Sequence, residues 1–224
     1  SAIKQVFLNK KLLNVVMLNT AYLNGGDVTL KDKENQYIKF KDPEVLRVLL
    51  ANGVGTDGGI TEEQAAAVTS IGTWFKGNTT IKYFDEFGKF TNAQSIPASA
   101  FEGDTALEKI DLTKVLSLGS KSFYGCTSLS FEDLQLPNLK TLGQNAFYGV
   151  KVKKISNLGK ITSIPDGNYK NSLGVNEEYL ESFTLSDTIT TIPAYLLYSC
   201  KNVSEFNANW ENITSIGKNA FDGC

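Results

Sequence analysis

The chain has 224 residues, 42% of them hydrophobic, with a formal net charge of -2 and a sequence pI near 5.3. It can bury a core without disulfide staples, and its evenly mixed charge offers no footprint for nucleic acid or an anionic membrane. Three cysteines and no histidine remove His-coordinated zinc, a His-assisted nucleophile and the commonest general base.

Residues 1–30 hold two apolar runs, Val6-Phe7-Leu8 and Leu12 to Leu18, parted by Asn9-Lys10-Lys11 and followed by a Gly25-Gly26-Asp27 turn. A helix and a short hairpin are both compatible with them, because short apolar runs are not separated by periodicity. The longer run includes Asn14 and falls well short of the ~20 apolar residues that span a bilayer. The chain opens at Ser1 with no basic stretch leading into an apolar one and a small-residue cleavage site, so an export signal is expected to be absent or already removed.

Pro43 marks the start of a helix running toward Ala51, and the glycine-rich stretch 53–59 then turns the chain. Thr61 with Gln64 three residues on is a capping-box signature for a second helix from Glu62 to about Thr69. Residues 1–70 are expected to form a partly helical N-terminal cap for the repeats that begin at residue 71, since the open end of a stack of repeats needs covering. The aromatics of Ile81 to Phe87, continuing at Phe90, suit a packed junction more than a ligand pocket.

From residue 71 the chain repeats itself. Ile96-Pro97-Ala98-Ser99-Ala100-Phe101-Glu102-Gly103 returns as Leu118 to Cys126, Leu142 to Gly149 and Ile216 to Cys224, with weaker copies at Ile164 to Tyr169, Ile192 to Cys200 and Ile71 to Gly77. The anchors at 75, 101, 123, 147, 169, 197 and 221 are 22 to 28 residues apart. Between them, Leu107 to Leu112, Val152 to Ile155, Leu180 to Leu185 and Val203 to Asn207 alternate apolar and polar residues. That alternation is the mark of a short half-buried strand, one per repeat.

A unit this small cannot bury its apolar side alone, so about seven copies over 71–224 are expected to stack as an α/β repeat solenoid with parallel strands. The glycines at 77, 103, 125, 149 and 223 follow the anchors, where a tight turn favours positive φ. Cys126, Cys200 and Cys224 share the next position and read as small apolar plugs.

The pattern Leu-x-x-Ile-x-Leu followed by Ile-Gly-x-x-Ala-Phe-x-Gly-Cys resembles the BspA-type leucine-rich repeat of bacterial surface proteins, over roughly residues 69 to 224. The resemblance implies a secreted or cell-surface protein of host-associated bacteria that adheres to host or neighbouring-cell proteins. Residues 40–63 resemble the module that precedes such repeats in gut bacteria, whose loop is EF-hand-like. Aligned so, residues 53–64 place Gly53, Gly55, Asp57, Gly59, Thr61 and Gln64 at ligand positions, and only Asp57 is a carboxylate. A calcium loop needs several oxygen ligands and a bidentate Glu, so the loop is degenerate and no metal or other cofactor is expected.

Adjacent carboxylates such as Glu62-Glu63 and Glu177-Glu178 diverge on a helix or strand, and no nucleophile elbow, phosphate loop or dinucleotide fingerprint is present. The expectation is therefore not an enzyme. The outward strand positions form a polar strip of candidate binding residues: Lys109, Asp111, Asp133, Gln135, Lys154, Ser156, Ser182, Thr184, Glu205 and Asn207. Such a strip suits a protein ligand, host extracellular matrix or mucin being the candidates the resemblance suggests. A glycan-binding module, with Trp210, Tyr148 or Tyr198 as platform, and a structural spacer presenting another domain are the alternatives.

Overall fold

The computed structural model describes residues 36–56, 58–168 and 170–224. The expectations for residues 1–30, for Asp57 and for an anchor at Tyr169 lie outside the described residues. Residues 1–38 and 39–224 are two separate compact units, so the two helices below share a unit with the repeats.

Helix α1 (Pro43–Ala51) starts where Asp42 accepts a hydrogen bond from the Glu44 amide, with Pro43 in the first turn, and buries Val45, Val48 and Leu49. Helix α2 (Glu62–Ala67) opens on the expected capping box. The Thr61 hydroxyl accepts from the Gln64 amide at 3.1 Å, and the Gln64 side chain accepts from the Thr61 amide at 2.9 Å. Both helices are tied to the chain that follows. The second oxygen of Asp42 accepts from the Lys82 amide at 2.7 Å, and the Asn92 side chain donates to the Ala66 carbonyl at 2.8 Å.

The strands are short: β1 (Tyr83–Phe84), β2 (Ser95–Ile96), β3 (Lys109–Ile110), β4 (Ser117–Leu118), β5 (Ser130–Phe131), β6 (Leu134–Gln135), β7 (Thr141–Leu142), β8 (Lys151–Val152), β9 (Lys154–Asn157), β10 (Ser182–Thr184), β11 (Thr191–Ile192), β12 (Glu205–Asn207) and β13 (Ser215–Ile216). Every strand pair is parallel and joins one turn of a solenoid to another. Where one strand per repeat was expected, a turn contributes at least two. The alternating segment supplies β3, β6, β9, β10 and β12, and the residue pair just before each Gly or Pro supplies β2, β4, β7, β11 and β13.

The repeats are strand and turn with little helix, so α/β describes them poorly. The reason is local. Ser99, Lys121, Asn145, Tyr195 and Asn219, each two residues before an anchor, have φ between 54° and 60°. A left-handed residue there, costing roughly 1–2 kcal/mol, stops any right-handed helix. The cost is offset because the turned amide reaches the next turn: Ser99 donates to the Ser120 carbonyl, Lys121 to Gln144 and Tyr195 to Lys218, all at 3.0 Å.

The core is a column of anchors. Phe75, Phe101, Phe123 and Phe147 stack with ring centroids 5.2, 5.1 and 5.7 Å apart, close to the spacing of paired strands. All four are fully buried. Beyond Phe147 the column continues in aliphatic residues: the Phe147 amide donates to the Leu173 carbonyl, Leu173 is buried, and Leu197 follows. Phe84, Phe87 and Phe90 pack on one another in the core, as expected of a junction.

The glycine after each anchor has φ between 71° and 81° at 77, 103, 125, 149 and 223. Of the plugs after them, Cys126 and Cys200 are buried and free, and burial pushes both thiols up to about 12. Cys224 is free but exposed, since no described turn stacks beyond it. The first strong repeat places a carboxyl at the same position, and Asp104 is 0% exposed with neither oxygen hydrogen-bonded.

Candidate functional site

Alternation puts Ile110, Leu112, Leu134, Ile155 and Phe183 into the core and turns their neighbours outward. Lys109, Gln135, Lys154, Glu205 and Asn207 are exposed, and Asp111, Asp133, Ser156 and Thr184 are half-buried. Ser182 departs from the expectation. It is only 8% exposed, and its hydroxyl is turned to Glu205 at 3.0 Å.

These residues fall into three groups. In the first, Asp111 accepts from the amide and hydroxyl of Thr113 at 3.0 and 2.7 Å, one turn residue bracing it from below, and Lys109 lies 3.6 Å from Asp85. In the second, one oxygen of Asp133 accepts from the Gln135 amide group at 2.7 Å and the Ser156 hydroxyl at 2.9 Å. In the third, Lys154, Ser182 and Glu205 are register partners across β9, β10 and β12, with Thr184 opposite Asn207. Hydrogen bonds from Asn207 and Ser182 hold the Glu205 carboxyl below its usual range.

The first two groups share a groove of about 870 Å³, lined by Tyr83, Asp85 and Glu108 with 109–113 on one side and 130–135 on the other. Strand order explains it. β3 pairs with β1, whereas β6 pairs with β9 in the sheet β12-β10-β9-β6. Consecutive turns therefore fail to pair at this one step of the outward face among the described residues. The cause is visible in the chain: Leu107 to Ile110 is a step of three, and the matching Leu129 to Leu134 is a step of five. The two extra residues make room for β5, which pairs with β8, so that β5 and β6 both pair with the following turn.

Charge in the groove is uneven. Asp85, Glu108, Asp111, Glu132 and Asp133 line it together with Lys109, and Lys82 and Lys153 pair with Glu108 and Glu132 from outside the lining. The Tyr83 hydroxyl donates to Glu108 at 2.8 Å, and this bond and Lys82 hold the Glu108 carboxyl low while the phenol is pushed up. Lys41 reaches Asp85 at 3.4 Å from the rim and lies 3.6 Å over the Tyr83 ring. A buried oxygen of Asp133 keeps no hydrogen-bond partner, while the buried oxygen of Asp85 is the one that Lys109 approaches. Tyr83, Asp85, Glu108 and Glu132 were not singled out in the sequence, where the longer spacing at 129–134 is the signal that marks them.

The aromatic platforms fare unevenly. Tyr148 lies flat against Tyr124 with centroids 4.4 Å apart, so one ring face is taken. Tyr198 meets Tyr195 edge-on at 5.3 Å. Trp210 is 55% exposed on the outermost described turn, beside Phe206. No helix among the described residues is long and apolar enough to cross a membrane.

A protein-family comparison matches the BspA type leucine-rich repeat region, in six copies, to residues 94–224, more than half of the chain. Six copies replace the seven counted from spacing, because the divergent turn at 71–77 precedes the match, although its Phe75 stacks on Phe101. The EF-hand-like reading of 53–64 gains no support: the family match begins only at residue 94, and Thr61 and Gln64 use their side chains on each other in the capping box. No curated protein matches the chain. Among solved structures, it is similar to a leucine-rich repeat protein from Bacteroides ovatus ATCC 8483, at 14% identity over 60% of this chain and 57% of that one, with a TM-score of 0.26. The match thus spans little more than half of that protein's length. Repeats of the BspA type generally mediate protein interaction or adhesion on scaffolds that are not enzymes, in proteins typically found at bacterial surfaces or secreted. The chain belongs to the BspA type leucine-rich repeat family.

Proposed function

We propose that this chain is a non-catalytic, extracellular protein-binding module, used by a host-associated bacterium to adhere to a host or neighbouring-cell protein such as matrix protein or mucin. The observation that carries the reading is the outward face itself. Lys109, Asp111, Asp133, Gln135, Lys154 and Glu205 stand on the outward positions of successive turns, beside a groove large enough for several side chains. Residues 1–70 act in this reading as the N-terminal cap and 71–224 as the binding solenoid. The bonds from Asp42 to the Lys82 amide and from Asn92 to Ala66 support this role for the helical part, residues 42–66.

The test is label-free binding of the purified chain to matrix proteins, mucin and a glycan panel, beside the triple variant Lys109→Ala, Lys154→Ala, Glu205→Ala. Saturable binding to a protein, reduced at least tenfold in the folded variant, is the expected result. Binding confined to glycans and unmoved by the variant would replace this reading with a lectin-like one. A chain inert toward every probe would make it a spacer.

A further inference from the structure

Each turn of the outward face is normally stitched to the next by its backbone. The Lys82 carbonyl accepts from Glu108 at 2.8 Å and the Phe84 carbonyl from Asp111 at 3.3 Å, while farther along the amides of Leu136 and Leu185 donate to the Asn157 and Asn207 carbonyls, both at 2.8 Å. At the break between β3 and β6 this stitching stops. The Glu108 carbonyl stands where the Lys82 carbonyl stands one turn earlier, by the register Tyr83 to Lys109. The Leu112 amide is the counterpart of Leu136, two residues past the buried strand residue. Among the described residues neither finds a partner in the next turn, and across the gap the Glu132 and Asp133 amides are likewise unbonded. Leu112 is only 4% exposed, and an unpaired polar group at such a position is a standing cost.

We propose that this break is a docking slot for an extended, lysine- or arginine-bearing segment of a partner protein, which adds itself as a strand between the turns of β3 and β6. The inference rests on the protein-binding reading above and names the site and the chemistry of the partner. Main-chain donors and acceptors of the added strand satisfy the groups left open on the two edges, as in strand addition generally. Charge selects the occupant. Asp85, Glu108 and Glu132 already pair with Lys41, Lys109, Lys82 and Lys153, but Asp111 and Asp133 line the slot in no ion pair among the described residues, and a buried oxygen of Asp133 lacks a hydrogen-bond partner, so ammonium or guanidinium groups along the strand meet acceptors already in place.

The probe is a fluorescent nine-residue peptide of alternating Lys and Val, with two controls: the same peptide with Glu for Lys, and the Lys peptide N-methylated on alternate residues. The full chain should bind the first saturably and each control at least tenfold more weakly. Added salt should weaken the interaction. Amide hydrogen exchange should slow at Leu112, Glu132 and Asp133 on binding, and the folded double variant Asp111→Asn, Asp133→Asn should bind at least tenfold more weakly. Equal binding of the acidic or N-methylated peptide, or no change in exchange at those amides, would overturn the proposal. Should the chain capture a matrix protein that the Lys-Val peptide does not displace, with the double variant unaffected, the slot fails and the protein-binding reading stands. A chain that binds neither peptide nor protein removes both.

Discussion

Asp104 occupies a position that Cys126, Val150 and Cys200 fill with apolar groups one, two and four anchors later. Burial raises its carboxyl from 3.8 to about 8, opposed by the nearby Leu107 amide, which forms no full hydrogen bond to it, and helped least by the Asp42 charge. The folded chain therefore keeps a proton that the unfolded chain loses above about pH 4. Over that window the unfolded state binds fewer protons, so stability falls as pH rises from about 4 to about 8 and is level on either side. Between pH 5 and pH 8 the loss works out to be on the order of 4 kcal/mol at about 1.4 kcal/mol per pH unit, a large share of a typical domain's stability. Asp104→Asn keeps the size and cannot ionise. Urea unfolding at pH 5, 6, 7 and 8 should show the wild-type midpoint falling steadily while that of the variant stays nearly flat. The surface carboxylates held low by their partners, Glu62, Glu102, Glu108 and Glu205, act in the opposite direction and at lower pH. The buried thiols of Cys126 and Cys200 matter only above pH 8. A wild-type chain equally stable at pH 5 and pH 8, or a variant with the same slope, would refute the reasoning.

Gly143 leads into the turn before Phe147, and a Cβ there would stand 2.2 Å from the Ser120 backbone nitrogen. Gly143→Ala must push two turns apart, and a loss of at least about 2 kcal/mol is expected in urea unfolding; an unchanged midpoint would mean the turns are less closely seated than described. Phe123→Ala empties the middle of the phenylalanine column and should cost about 3–5 kcal/mol, with the melting temperature as readout and a shift of only a degree or two counting against a column that acts as the core.

Much of this architecture is readable in the chain because stacking repeats its demands. The anchors Phe101, Phe123 and Phe147 and the turn glycines after them recur, since each sits in the same hole of the turn before it. The helix starts at Pro43 and Glu62 are local signals, a proline and a capping box that need no tertiary context. The left-handed residues were not legible. Ser, Lys, Asn and Tyr occupy that position, and no residue type advertises a conformation imposed by an amide reaching the next turn. The second strand series escaped for the same reason. Pairs such as Ser95–Ile96 and Thr141–Leu142 are too short for alternation to register, and only their partners make them strands. Ser182 looked outward by count, yet its neighbours close over it.

Regularity and function pull in different directions in such a stack. Where each turn repeats the last, the backbone of the outward face is consumed by its neighbours and only side chains are left to meet a ligand. A departure from the period is a place within the stack where main-chain donors and acceptors become free without unfolding anything. The extra two residues between Leu129 and Leu134 produce that departure, and the anchors below do not register it: Phe101, Phe123 and Phe147 keep their even spacing through the same turns. The scaffold thus tolerates a gap in its sheet because the core column holds the turns independently, and the cost of the backbone groups left unpaired there is what a bound strand would relieve.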